Sequence, residues 1–153
     1  MALYLVQHGR SFSKDQDPEQ GLTEIGIGEV KSIAQQAKGY QILVGTIFHS
    51  EKKRTAQTAE LFSAALQSDK NIQQIQGIKP LDDVKGFAAT LITTDNSMYI
   101  GHLPFMEKLT SYLVTGSTDH TVFKFQNGGV VCLEQNSDNG TWFIKWSLMV
   151  HIN

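Results

Sequence analysis

The sequence predicts an α/β fold: a three-layer α/β/α sandwich with a mostly parallel central sheet and an antiparallel C-terminal edge. Three observations carry that expectation. Short apolar runs alternate with amphipathic helical stretches through the first two thirds of the chain. Several of those runs stop at a polar residue that is followed at once by a helix start. The last third is instead β-rich and broken by Asn-Gly and Gly-Gly turns, the punctuation of hairpins.

The elements follow in order. Leu3 to Val6 is a continuous apolar run that stops at Gln7-His8-Gly9, the pattern of a strand buried on both faces. Ser11 to Gln20 is polar and reads as an exposed loop. Thr23 caps a helix to Lys38, with Val30, Ile33, Ala34 and Ala37 on one face and Gly39 at the stop. A strand is expected over Ile42 to Phe48. Ser50 is expected to cap a helix reaching Gln67, in which Ala59, Phe62 and Leu66 recur at helical spacing. An alternating segment, Ile72 to Gln76, leads through turn-forming residues into a short helix over Val84 to Ile92. Ser97 to Gly101 is another buried strand closed by His102. Pro104 then suits the first turn of a helix whose apolar face is Met106, Leu109 and Leu113. Thr121 to Phe125, Val130 to Glu134 and Thr141 to Leu148 complete the sheet as antiparallel strands. Trp142 and Trp146, four apart on the last of these, are expected on one face.

With 153 residues, 41% hydrophobic and 18% charged, the chain is expected to form a single domain over 1–153. Its formal charge of -2 argues against a nucleic-acid partner, since backbone phosphates are held by a basic excess. The N-terminal apolar stretch is too short for a membrane span or a signal peptide. No membrane partner is expected, and a cytoplasmic location fits. The one cysteine, Cys132, cannot form an internal disulfide; core packing in a reducing compartment is its expected role. The five histidines lack the paired helical spacing of a hydrolytic metal centre, so neither a metal nor another cofactor is expected.

In open α/β sheets, ligands gather beyond the carboxyl ends of the strands. Three such ends carry His or Arg here: Gln7-His8-Gly9-Arg10, His49-Ser50 with Arg54 beyond, and Gly101-His102. Two imidazoles and a guanidinium converging on one anion suit phosphoryl transfer, where positioning and charge neutralisation dominate. His49 either lines such a site or packs beside it. His120 and His151 lie outside any motif and are expected to be structural.

These same residues carry a resemblance. Leu3-Tyr4-Leu5-Val6-Gln7-His8-Gly9-Arg10 resembles the Arg-His-Gly signature of the phosphoglycerate-mutase-like histidine phosphatase superfamily. Ser50-Glu51-Lys52-Lys53-Arg54-Thr55-Ala56-Gln57-Thr58-Ala59 is similar to that family's second motif, Gly101-His102-Leu103-Pro104 to its third, and Leu22-Thr23-Glu24-Ile25-Gly26 to a helix start between the first two. The short chain and the Gly-His-Leu-Pro form are most similar to SixA-type phosphohistidine phosphatases. The resemblance implies a catalytic set in which His8 accepts the phosphoryl group while Arg54 and His102 hold its oxygens. Gln7, Gly9, Arg10 and Lys14, which surround or follow His8 in the chain, are the expected phosphate-binding positions. The partner implied is a phosphorylated protein carrying phosphohistidine, or a small phosphorylated metabolite.

The sequence departs from the family at Gln7, where the first motif has Arg. A neutral amide replaces a charged planar fork, and losing one preorganised donor lowers such rates by about a hundred- to a thousandfold. Arg10, Lys14, Lys52 and Lys53 are the cations available to compensate. For a general acid the sequence offers Asp82, Asp83 and Glu51. Phosphohistidine relaxes that requirement, because imidazole leaves more readily than an alkoxide. The expectations are therefore a phosphohistidine phosphatase working through a phosphorylated His8, an impaired pseudo-phosphatase that binds phosphoprotein, or a small-molecule phosphomonoesterase.

Overall fold

The computed structural model describes residues 1–66, 71–91 and 95–152. Its six strands and four helices run β1 (Leu3–Gln7), α1 (Glu24–Gly39), β2 (Ile47–His49), α2 (Lys53–Leu66), β3 (Ile72–Gln74), α3 (Val84–Ala89), β4 (Met98–Gly101), α4 (Phe105–Thr115), β5 (Val130–Gln135) and β6 (Trp142–Leu148). The strands form one sheet in the order β3-β2-β4-β1-β5-β6. The first four are mutually parallel, while β5 is antiparallel to both β1 and β6.

Alternating side chains divide the core into two. Tyr4 and Val6 of β1 join Val30, Ile33 and Ala34 of α1 and Ala59 and Phe62 of α2 on one face. Leu3 and Leu5 join Val84 of α3 and Phe105, Met106 and Leu109 of α4 on the other. This is why β1 is apolar at every position: helices cover both of its sides. Among the described residues no helix is long and apolar enough to cross a membrane.

Several expected boundaries move. The strand expected from Ile42 begins only at Ile47, because the chain at Gly45 lies against the backbone of Asp95: a Cβ there would sit 2.1 Å from its carbonyl oxygen. Ser50 does not cap α2, which starts at Lys53; its hydroxyl is used elsewhere. The expected ends of α2 at Gln67 and of α3 at Ile92 lie outside the described residues. β3 ends at Gln74, not Gln76. Thr121 to Phe125 is not a strand. β5 is already flanked by β1 and β6, and the segment instead packs Phe123 edge-on to Phe125 at 5.0 Å against the α4 core. The two tryptophans take opposite faces. A register shift between Cys132 and Leu133 pairs Trp146 with the α1 side, while Trp142 and Ile144 pack with α4.

Candidate active site

Sheet register builds the site. Gln7 pairs with Gly101 and His49 with Ile100, so the parallel tips of β1, β4 and β2 end at one level. The residue after each tip, or one beyond it, is His8, His102 or Ser50. The His8 N–H donates to the Gly101 carbonyl at 3.1 Å, and the two imidazole rings come to 5.2 Å between centroids.

Each imidazole is held through one nitrogen. His8 Nδ1 donates to its neighbouring Gly9 carbonyl at 2.7 Å, which fixes the proton on Nδ1 and leaves Nε2 with its lone pair. His102 Nε2 meets Ser50 Oγ at 2.7 Å. Ser50 Oγ also lies 2.9 Å from Thr55 Oγ1 and accepts from the Lys52 N–H at 3.3 Å. Burial is the main reason that both imidazoles are pushed down to about 4; for His8 Arg54 adds to it, and for His102 His8, Arg54 and Lys52 do. Both are therefore neutral near pH 7.

The loop that carries His8 is fixed from three directions. The Gly9 N–H donates to Thr58 Oγ1 at 3.0 Å, and Thr58 in turn bonds the Arg54 carbonyl at 2.7 Å. Asn127 Nδ2 donates to the His8 carbonyl at 3.0 Å, and the Gly128 N–H to the Gln7 carbonyl at 2.9 Å. Gly9 and Gly26 permit the approach of α1: a Cβ on Gly9 would lie 2.7 Å from Val30 Cγ2, and one on Gly26 would lie 2.2 Å from the Arg10 carbonyl oxygen.

The cations sort themselves by partner. Arg54, half-buried at the start of α2, has no ion pair among the described residues, and partial burial lowers its pKa. Arg10, in contrast, places Nε 2.9 Å from Glu29 Oε1, a contact between charges without an aligned hydrogen bond; Glu29 Oε2 meets His151 Nε2 at 2.8 Å. Arg10 is thus turned toward α1 and the C-terminal residues. Lys53 pairs with Glu19 at 3.0 Å and Lys79 with Glu51 at 3.4 Å. Lys14 is exposed in the loop before α1.

Of the expected site residues, the structure therefore brings His8, Arg54 and His102 together. Gln7 contributes its backbone to the sheet and its carbonyl to Gly128. The Gly9 N–H donates to Thr58 and its carbonyl accepts from His8, so its backbone groups serve the loop itself. Arg10 meets Glu29 through Nε. Asp82 accepts from the Lys79 N–H, Asp83 precedes α3, and neither is hydrogen-bonded to His8, Arg54 or His102. Both line a neighbouring cavity of about 680 Å³ with Phe48, Ile75 and Tyr99. His49 is buried, its Nδ1 donating to the Ser50 carbonyl at 2.7 Å, so it helps shape the turn that carries Ser50. Asn127 is a contributor that no sequence signal had placed at this site. Its signal, an Asn-Gly-Gly turn, marked a hairpin and not a contact.

Comparison with known proteins agrees with this geometry. The model of the histidine phosphatase superfamily (branch 1) matches residues 3–82, and the chain belongs to that superfamily. Among solved structures, the protein histidine phosphatase SixA complexed with tungstate superposes with a TM-score of 0.85 at 21% identity, over 98% of this chain and 97% of that one. Phosphoserine phosphatase from Entamoeba histolytica in complex with 3-phosphoglyceric acid gives 0.71 at 16% identity, over 95% of each chain. Alpha-ribazole phosphatase from Shigella flexneri gives 0.75 at 14%, over 94% of this chain and 95% of that one. At these identities the likeness establishes the shared fold. No curated protein is a significant match to the sequence.

Proposed function

We propose that the protein is a cytoplasmic phosphatase that removes phosphate from phosphohistidine in a partner protein, through a covalent intermediate on His8. The observation that carries the proposal is the pairing of a neutral His8, its Nε2 left unprotonated by the Nδ1 bond to Gly9, with a second imidazole 5.2 Å away. Nε2 attacks phosphorus as the bond from phosphorus to the substrate nitrogen breaks, and the departing imidazole takes a proton from water. A water oxygen then attacks the same phosphorus, the Nε2–P bond breaks, and inorganic phosphate leaves with His8 neutral again. Arg54, which has no ion pair among the described residues, and the Nδ1 side of His102 hold the oxygens during both displacements.

Phosphohistidine is favoured over an ester by the placement of the acids. Asp82 is committed to the Lys79 backbone, Glu51 to the Lys79 ammonium, and Asp83, at the start of α3, is not hydrogen-bonded to His8, Arg54 or His102, which disfavours all three as donors to an alkoxide. A leaving imidazole needs less help. Gln7 favours a second reading, in which the site binds a phosphoprotein but turns it over poorly.

One experiment separates these readings. The protein, His8→Ala and Gln7→Arg are incubated with a phosphohistidine peptide and with para-nitrophenyl phosphate. The proposal expects release of phosphate from the peptide in preference to the ester, abolished in His8→Ala and raised in Gln7→Arg. Binding of the phosphopeptide without release, in both the unaltered chain and Gln7→Arg, establishes the binding module instead.

A further inference from the structure

We infer that Lys52 supplies the second positive charge of the phosphoryl site, the charge that Gln7 lacks. The inference rests on the phosphatase reading and names a residue for it. Three observations support it.

The first is position. The Lys52 N–H reaches Ser50 Oγ at 3.3 Å, and that oxygen lies 2.7 Å from His102 Nε2, so the backbone of Lys52 is one hydroxyl away from the second imidazole. Its carbonyl accepts the first helical bond of α2, from the Ala56 N–H, which makes Lys52 the residue at the helix cap. The flexible four-carbon stem of a lysine lets its ammonium swing toward the ring pair from that position.

The second is the accounting of cations around the site. Arg10, Lys53 and Lys79 are occupied by Glu29, Glu19 and Glu51. Lys52 and Lys14 have no ion pair among the described residues and both are exposed, but of the two it is Lys52 whose backbone adjoins the Ser50 hydroxyl that meets His102. Its charge is felt at His102, where it helps to hold the imidazole neutral.

The third is an inversion of the usual helix chemistry. The N-terminus of a helix favours acidic residues, yet Lys52, Lys53 and Arg54 follow one another at the start of α2, and its first turn holds no acid. Concentrating positive charge at the positive end of a helix costs stability unless an anion resides there. A phosphoryl group bound between His8 and His102 meets that condition.

The test is oxyanion binding, read by calorimetry with inorganic phosphate and with tungstate. Lys52→Gln is expected to weaken binding about ten- to a hundredfold and to flatten its salt dependence, as loss of one charge-assisted contact does. Lys53→Gln, whose charge is already paired with Glu19, is expected to stay within about twofold. Adding Gln7→Arg to Lys52→Gln is expected to restore affinity, because one cation then does the work of the other. Equal affinity in Lys52→Gln and the unaltered chain overturns the inference and leaves the phosphatase reading standing, as does a loss carried by Arg10→Ala or Lys14→Gln in its place. Failure of the unaltered chain to bind either oxyanion overturns both.

Discussion

Ser50 and the two imidazoles fix what single residues contribute. A His102 ring that bonds Ser50 through Nε2 can offer only Nδ1 to a ligand, and a serine hydroxyl donating to Nε2 keeps the proton on Nδ1. Ser50→Ala is expected to leave the fold intact but to lower kcat/KM by about ten- to a hundredfold, the worth of one buried polar partner. Nitrogen NMR of the imidazoles is the check, and the variant is expected to show mixed His102 tautomers. Both histidines are held near 4 against an ordinary 6.5. In the folded state they take up protons later than in the unfolded chain. Their effect is therefore a loss of stability as pH falls from about 6.5 to about 4, and none above that window. Urea midpoints at pH 7.5 and pH 4.5 are expected to differ more for the unaltered protein than for the His8→Asn, His102→Asn double variant. In the same way, the acid limb of kcat/KM is expected near pH 4 and not near 6.5.

Elements meet at glycines. Gly26 lets α1 rest on the backbone of the loop after β1, with the Arg10 carbonyl where a side chain would begin. Gly26→Ala is expected to cost about 3 kcal/mol or more in urea unfolding, because the obstructing atom is backbone and cannot rotate away. Gly28, two residues on, has open space around it; Gly28→Ala is expected to be neutral or mildly stabilising in the same measurement. At this scale the sequence was informative wherever a signal was local. Thr23 accepts from the Gly26 N–H at 3.0 Å as an N-cap, and the α1 core face is the one its spacing implied. It was less informative where a long-range contact decided the outcome. The start of β2 depends on Asp95, some fifty positions away. Ser50 has the character of a helix cap, but the histidine just beyond β4 claims its hydroxyl. The segment over Thr121 to Phe125 has strand composition, but β5, the strand it leads into, is already flanked by β1 and β6, and the segment packs its phenylalanines against the α4 core instead.

For the molecule as a whole, the motifs marked which strand tips carry histidine, while strand order and register determined that those tips touch. No periodicity in the sequence states that β1 and β4 are neighbours, or that Gln7 stands opposite Gly101. The C-terminal third gave still less warning of its part. Its turn holds the His8 loop through Asn127, so the antiparallel edge reaches into the site built by the parallel core. Asn127→Ala is expected to reduce kcat several-fold with KM little changed, because it loosens the loop under His8 without removing a ligand contact. Steady-state kinetics on para-nitrophenyl phosphate or a phosphohistidine peptide provide the comparison.

The strand order also leaves the sheet with two open borders, and they are defended differently. β3, at one border, is three residues long and exposed throughout, so it offers a neighbouring molecule too few amide groups to template a lasting pairing. β6, at the other, is seven residues long, but its bulge twists the ladder and Lys145 sits within it, bound to Glu134 at 2.8 Å. Brevity on one side and irregularity with charge on the other both weaken the template that an open sheet border offers to a second molecule.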